Sequence, residues 1–307
     1  MKKLMFVLFL LPVLLLGCQS GDAQPKNEDG KVEVVTTIAQ IGDVVKNVGG
    51  EHVNVESLMG PGTDPHLYKP VSSDIEKMDQ AEVIFYNGHH LEGQMNSVFK
   101  KMKKQKPTYP VAEAVPEEMM DADPENPEIY DPHVWFDIEM WKYAVDEVTK
   151  GLSEYDPDNK ETYEKNAEAY KKELDELNAY AKERIEEIPE QSRVLVTAHD
   201  AFHYFGKAYG LEVKGLQGLS TESEYGLNDI ERIINTLTER DVKAVFVESS
   251  VSDRSINAVV EGAKKQGHEV NIGGELYSDA MGPKDTEEGT YIGMFRHNID
   301  TIVEALK

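Results

Sequence analysis

Three histidines and one aspartate lie where predicted strands or helices begin or end, and ligands of parallel α/β sheets gather at such positions. His66 lies in a loop after the second predicted strand, and His133 precedes a predicted helix. His199 follows one strand of the second half, and Asp279 follows the last strand. Imidazole nitrogens and a carboxylate are suitable ligands for divalent transition metals. Because each half of the chain supplies two of the four, a shared ion would lie between the halves.

The tripeptide Asp-Pro-His occurs twice, at residues 64–66 and 131–133. Proline fixes the backbone and lowers the entropy cost of placing the imidazole that follows it. We expect Asp64 and Asp131 to accept a hydrogen bond from the second ring nitrogen of their histidine, as is common for metal-binding imidazoles. Spacing alone leaves a second interpretation open, in which both histidines merely precede helices and bind nothing.

A zinc-dependent hydrolase is the enzymatic alternative. His199 and His203 are four residues apart in His-Asp-Ala-Phe-His, a spacing that places two zinc ligands on one face of a helix. Asp200 would then replace the glutamate that acts as the general base. No GxSxG, P-loop or GxGxxG motif occurs in the sequence, so serine-hydrolase, NTPase and dinucleotide chemistry are not indicated. We interpret His52, His268 and His297 as structural or surface residues.

The elements that position these residues alternate between strands and helices. Runs of β-forming residues at 32–37, 193–197 and 244–247 are each followed by a segment of helical periodicity. This alternation predicts an α/β fold built from parallel βαβ units. Residues 158–188 carry one apolar stripe with no internal glycine or proline, which predicts a single long helix that runs along both halves.

Length and charge narrow the functional classes. A chain of 307 residues is long enough for two domains. Its net charge of −25 argues against a nucleic-acid partner, which needs a basic face to neutralise phosphates. A single cysteine excludes an intramolecular disulfide and a zinc site built from several thiolates.

That cysteine lies at the end of an N-terminal targeting segment. Two lysines precede the apolar run 4–16, which is too short to span a bilayer and is typical of a signal peptide. Residues 15–18, Leu-Leu-Gly-Cys, resemble a bacterial lipobox, so we predict that Cys18 is lipidated after removal of residues 1–17. Residues 18–30 contain no large apolar side chain and are predicted to be a flexible tether. We predict that the remaining chain forms two lobes, residues 31–157 and residues 189–307, on either side of the long helix.

Seven sequence stretches carry a family resemblance. They are GPGTDPHLYKP at 60–70, NG at 87–88 with LE at 91–92, DPHVWF at 131–136, TAHDAFHYFG at 197–206, GLQGLST at 215–221, VESS at 247–250 and LYSDAMG at 276–282. In this order they resemble the metal-binding solute receptors of bacterial ABC transporters, which import manganese or zinc. The stretches from residue 197 onward are most similar to the manganese-binding lipoproteins of Gram-positive bacteria.

The resemblance implies a complete functional assignment. It implies metal ligands His66, His133, His199 and Asp279, and two βα lobes with parallel sheets joined by one rigid helix, the cluster A-I type of periplasmic binding protein. It further implies a monomeric, non-enzymatic receptor, lipid-anchored on the extracytoplasmic face of the cell membrane, that delivers its cargo to a permease driven by an ATPase. Surface adhesion is a third possible role, but no residue pattern indicates it.

The sequence constrains the identity of the metal less than it constrains the candidate ligands. Three imidazoles and one carboxylate suit Zn²⁺, whereas a bidentate Asp279 would raise the coordination number toward that of Mn²⁺. Some manganese receptors carry glutamate at the position of His199, which argues against strict manganese selectivity here. Zinc receptors usually have a histidine-rich loop, and residues 91–132 contain no histidine. We therefore predict Mn²⁺ as the cargo, with Zn²⁺ as the alternative.

Overall fold

The structure is a computed structural model that describes residues 30–123 and 126–307. The predicted signal peptide, Cys18 and nearly all of the predicted tether lie outside these residues. Within the described chain, no helix is both long and apolar enough to cross a bilayer.

The first half of the described chain is built on one parallel sheet. Its strands are β1 (Val32–Thr36), β2 (Val53–Ser57), β3 (Val83–Tyr86) and β4 (Thr108–Pro110), in the spatial order β2-β1-β3-β4. Its helices are α1 (Ala39–Gly49), α2 (Ser72–Gln80), α3 (Asn96–Met102) and α4 (Ile138–Tyr155). Strands β1 and β3 are rich in valine, isoleucine and phenylalanine and almost wholly buried, as expected for strands covered on both faces by helices.

A single long helix, α5 (Lys160–Ile185), connects the halves. Its 26 residues span about 39 Å. The predicted apolar stripe forms its buried side, which packs against α1 and α4 of the first half and α9 of the second. The stripe residues within α5 are Tyr163, Ala167, Tyr170, Leu174, Leu177, Ala181 and Ile185, and the last predicted member, Ile188, is buried just beyond the end of the helix. Contact with both halves explains why this helix is longer than one small domain requires.

The second half repeats the alternation with two pairs of parallel strands. Its strands are β5 (Val194–His199), β6 (Glu212–Gln217), β7 (Ala244–Glu248) and β8 (Asn271–Leu276), paired as β5-β6 and β7-β8. Its helices are α6 (His203–Tyr209), α7 (Leu227–Glu239), α8 (Arg254–Lys265) and α9 (Tyr291–Leu306). Strands β5 and β7 lie side by side, which brings their carboxyl ends to one edge.

Aromatic side chains pack across the cleft, which is the boundary between the two halves where their candidate ligands meet. The ring of Phe136 from the first half lies 4.3 Å from that of Phe202 and 6.4 Å from that of Phe295, both from the second half. All three rings are fully buried and belong to a core that is continuous across the halves. This packing, together with α5, limits the relative movement of the halves.

The α/β class and the long connecting helix are confirmed, and several element bounds are corrected. The spacing of apolar residues at 91–102 predicts a helix over that whole range, but the helix is regular only from Asn96, because residues 93–95 form a 3-10 turn. The sequence predicts the last strand at 269–272, whereas β8 runs from Asn271 to Leu276, where two glycines interrupt the apolar pattern. Helix α2 and strand β4 were not predicted. The division of the chain into lobes at residues 157 and 189 stays a prediction.

Candidate metal centre

The four predicted ligands converge on one buried point. One ligand atom from each of His66, His133, His199 and Asp279 lies within 4.8 Å of those from the others. His133 and His199 are completely buried, and His66 and Asp279 are 3% and 1% exposed. The residues come from loops or strand ends in both halves, so the site lies between them.

Local chain geometry fixes the two candidate ligands of the first half. His66 lies in the loop after β2, where Asp64 Oδ1 accepts the backbone N–H of His66 at 2.9 Å. His133 is held in the same way by Asp131 Oδ1, at 3.0 Å. Such two-residue turns are a common property of aspartate and set the direction of the following side chain. The two Asp-Pro-His sequences therefore form equivalent turns that aim an imidazole into the cleft.

The second half presents its two candidate ligands at the carboxyl ends of β5 and β8, two strands that are separated by β7. His199 is the last residue of β5, and Asp279 lies three residues after β8. Parallel strands bring their carboxyl ends to one edge, which explains how residues 80 positions apart in sequence become neighbours.

The ligand atoms are spaced as a bound cation requires. His66 Nε2 lies 3.3 Å from His133 Nε2 and 3.7 Å from Asp279 Oδ2. Asp279 Oδ1 lies 3.4 Å from His133 Nε2, and Asp279 Oδ2 lies 3.3 Å from His199 Nε2. Ligand atoms of a tetrahedral ion with bonds of about 2.1 Å are ~3.4 Å apart. Both oxygens of Asp279 and Nε2 of His199 are buried without a hydrogen bond of good geometry from the described residues. A cation would satisfy all three atoms.

Carboxylates lie against Nδ1 of two of the imidazoles, on the side of the ring away from the cluster. Asp131 Oδ1 accepts a hydrogen bond from His133 Nδ1 at 2.7 Å, as predicted from the sequence. Glu248 Oε2 lies 2.6 Å from His199 Nδ1, and its other oxygen accepts the backbone N–H of His199 at 2.9 Å. Both contacts leave Nε2 as the ring nitrogen that is available to a metal ion.

The prediction that Asp64 would hold the ring of His66 is wrong. Oδ1 of Asp64 accepts backbone N–H groups, and Oδ2 accepts the hydroxyl of Thr221 at 2.6 Å. Thr221 belongs to the other half, so Asp64 bridges the cleft instead. In the sequence, Glu248 directly follows the predicted strand at 244–247, but nothing in that position pairs it with His199. The only hint in the sequence was that both residues follow a predicted strand, since the ends of adjacent parallel strands lie close together.

Burial and charge oppose each other in the site. Burial lowers the pKa of His66 to about 3, so this imidazole is neutral and free to bind a metal. Burial also disfavours charge on His133, but Asp131 and Asp279 outweigh it and raise the pKa of His133 to about 9. Burial by itself would raise the pKa of Asp279, yet the three histidines hold it well below its usual range. Asp279 is therefore a carboxylate, ready to accept a cation.

The structure contradicts the geometric basis of the hydrolase alternative. His199 ends β5, whereas His203 begins α6, so the two do not share a helix face. His203 Nε2 instead lies 3.2 Å from Asp121 Oδ2 near the surface. Two other histidines have the structural roles expected of them: His268 Nε2 lies 2.7 Å from the carbonyl of Val242, and His297 Nε2 lies 3.0 Å from that of Glu275.

The fold and the convergence of ligands between two halves define a class: two-lobed α/β metal-binding proteins with a helical linker. Residues 34–305 match the family described as "ZnuA: Zinc-uptake complex component A periplasmic". The chain belongs to this family of metal-binding solute-binding proteins.

Named relatives extend over almost the whole chain. The manganese-binding lipoprotein MntA of Bacillus subtilis is 53% identical over 306 residues, covering 100% of this chain and 99% of the relative. The zinc-binding protein TroA of Treponema pallidum is 44% identical over 299 residues, covering 96% of each. A solved structure of periplasmic zinc-binding TroA from Treponema pallidum superposes with a TM-score of 0.88 at 45% identity, covering 90% of this chain and 99% of that one.

Proposed function

We propose that this protein is an extracytoplasmic receptor that binds Mn²⁺ through His66, His133, His199 and Asp279 and delivers it to an ABC importer. The observation that carries this proposal is the convergence of four buried ligand atoms within 4.8 Å between the halves. The 53% identity to a protein named as manganese-binding supports Mn²⁺ as the cargo.

A zinc receptor is the second candidate. The family description names zinc uptake, and a relative named as zinc-binding is 44% identical over almost the full chain. Three imidazoles also suit Zn²⁺, which generally binds nitrogen ligands more tightly than Mn²⁺ does. Both candidates use the same four ligands, so direct competition between the metals decides between them.

The buried ligand set favours a carrier over an enzyme. A catalytic metal keeps an open coordination position for water or substrate. Here all four ligands are at least nine-tenths buried, and the named relatives are binding proteins. The receptor would bind and release its cargo without covalent chemistry.

Delivery requires a membrane-bound transporter. We propose that a lipid on Cys18 anchors a monomeric receptor beside the permease, that residues 18–30 act as a tether, and that an ATPase drives uptake. The lobes would correspond to residues 31–157 and 189–307, with the linking helix between them. Several acyl chains on one residue would give the stable anchoring that one chain does not.

Elemental analysis of protein purified without added metal tests the assignment. Titration calorimetry of the metal-free protein with Mn²⁺ and with Zn²⁺ then measures each affinity, and a titration with both metals present measures their competition. We expect one bound ion per chain and stable binding of Mn²⁺ under competition. Tight binding of Zn²⁺ alone would support the zinc alternative. Absence of binding by either metal would overturn the receptor assignment.

A further inference from the structure

The loop that carries Asp279 has hydrogen bonds from side chains to four consecutive backbone carbonyls, at residues 277–280. The second half supplies the two outer donors. Asn298 Nδ2 donates to the carbonyl of residue 277 at 2.7 Å, and Ser249 Oγ donates to that of residue 280 at 3.3 Å. These bonds fix both ends of the loop to its own half.

The two central carbonyls are bound from the opposite half. Trp135 Nε1 donates to the carbonyl of Ser278 at 3.1 Å, and Gln40 Nε2 donates to the carbonyl of Asp279 itself at 3.0 Å. Both donors are completely buried. The backbone of a ligand from the second half is therefore held by the first half.

This arrangement sets the direction of the carboxylate. Asp279 Oδ1 faces His133, while Oδ2 faces His199 and His66. Both oxygens are thus available to one ion. A hydrogen bond to the carbonyl of the same residue restricts rotation of the peptide groups that aim this side chain. Loss of that bond would free the carboxylate to turn and present only one oxygen.

One or two carboxylate oxygens matter differently to the two metals. Zn²⁺ is satisfied by four ligand atoms in a tetrahedron. Mn²⁺ favours oxygen ligands and a higher coordination number than Zn²⁺ does. With three imidazoles in the site, the second oxygen of the carboxylate provides both. A residue that fixes both oxygens in the site therefore favours Mn²⁺ over Zn²⁺.

We propose that Gln40 is a positioning residue that selects for Mn²⁺ by holding Asp279 from across the cleft. The inference rests on the proposed function, because it concerns the same site. Gln40 is a better test than Trp135, whose ring also contacts His133 with centroids 5.2 Å apart. Oε1 of Gln40 is buried without a hydrogen-bond partner among the described residues. An apolar replacement of Gln40 therefore has two opposing effects on stability. It removes this unpaired acceptor, and it takes away the hydrogen bond to the carbonyl of Asp279. We expect little net change in stability.

The test compares Gln40→Met with the wild type and with the control Gln80→Met, which makes the same change on the exposed end of α2. Titration calorimetry gives the Kd of each protein for Mn²⁺ and for Zn²⁺. We expect Gln40→Met to weaken Mn²⁺ binding by about tenfold or more and Zn²⁺ binding by several-fold less. The electron paramagnetic resonance spectrum of bound Mn²⁺ should also change in this variant and not in the control.

The possible outcomes separate the two hypotheses. Equal weakening for both metals, or no change for either, would overturn the selective role of Gln40 while leaving the receptor intact. Failure of the wild type to bind either metal would overturn the proposed function itself. A thermal unfolding curve for Gln40→Met close to that of the wild type would show that the affinity change is not a folding defect.

Discussion

Glu248 and His199, the last residues of two adjacent strands, lie side by side: Glu248 Oε2 is 2.6 Å from His199 Nδ1. Both side chains are fully buried, and Glu248 Oε1 also accepts the backbone N–H of His199. One carboxylate thus fixes both the position of the backbone and the ring orientation of a candidate ligand. Glu248 has this effect without being one of the four converging residues.

Replacing Glu248 should weaken metal binding without removing a ligand. In Glu248→Gln, a neutral amide replaces the carboxylate, so the ring of His199 loses its charged partner. We expect a 10- to 100-fold loss of affinity, roughly the effect of removing such outer partners in other metal sites. Titration calorimetry with Mn²⁺ and Zn²⁺ measures it. The exposed Glu275→Gln on β8 serves as control, and equal affinities of the two variants would contradict the prediction.

Removing the carboxylate ligand should have a larger effect. We expect Asp279→Ala to lower metal affinity by orders of magnitude, because only three neutral donors remain for a doubly charged ion. The fold of the metal-free protein should persist, since Asp131 still pairs with His133. Calorimetry and circular dichroism check the two parts. Asp253→Ala, an exposed acid before α8, is the matched control. Unchanged affinity in Asp279→Ala would refute the ligand assignment.

Bound metal should stabilise the folded protein by mass action. A ligand that binds only the native state adds about 2.7 kcal/mol at a free concentration of one hundred times Kd. We therefore expect Tm to rise with Mn²⁺ or Zn²⁺ concentration and to fall again with a chelator. Scanning calorimetry tests this expectation. Asp279→Ala should show almost no shift, and a shift equal to that of the wild type would place the metal elsewhere.

The contact between Thr221 and Asp64 should slow metal release. Their hydrogen bond, 2.6 Å long, joins the two halves next to His66. Thr221→Val removes the hydroxyl, so the cleft should open more often and release the ion several-fold faster. The rate of transfer to an excess of chelator in stopped-flow measurements tests this effect. Thr236→Val on α7 is the control, because its hydroxyl bonds only within its own helix. Identical release rates in both variants would count against the contact.

Asp43 should make the stability of the metal-free protein depend on pH. Burial raises the pKa of Asp43 on α1, although Tyr170 of α5 donates a hydrogen bond to it at 2.9 Å. With a raised pKa, the folded state binds more protons than the unfolded state, so stability from this group falls as pH rises through the folded pKa. In Asp43→Asn this decline should disappear.

Urea denaturation of the wild type and Asp43→Asn across pH 4 to 7 isolates the contribution of Asp43. We expect the free energy of unfolding of the wild type to decrease relative to that of the variant as pH increases. The opposite trend would show that the hydrogen bond from Tyr170 outweighs burial. Metal must be removed beforehand, because bound metal adds its own pH dependence.

Repeated local patterns made much of the architecture predictable. The apolar stripe within residues 158–188 identified the long helix, because residues three and four apart share one face of a helix. Valine-rich runs identified β1 and β5, since buried parallel strands are continuously apolar. Predictions failed where the pattern was weak: Leu91 precedes the regular part of α3, and glycines interrupt β8.

Most of the elements, the types of candidate ligand and the two Asp-Pro-His turns could be predicted from the sequence, because these depend on side-chain chemistry and near neighbours. Three contacts became visible only in the folded protein: Glu248 with His199, Asp64 with Thr221 across the cleft, and Gln40 with the backbone of Asp279. Those partners are 49, 157 and 239 residues apart. No local pattern encodes such pairs, since strand order and the packing of the two halves determine which side chains meet.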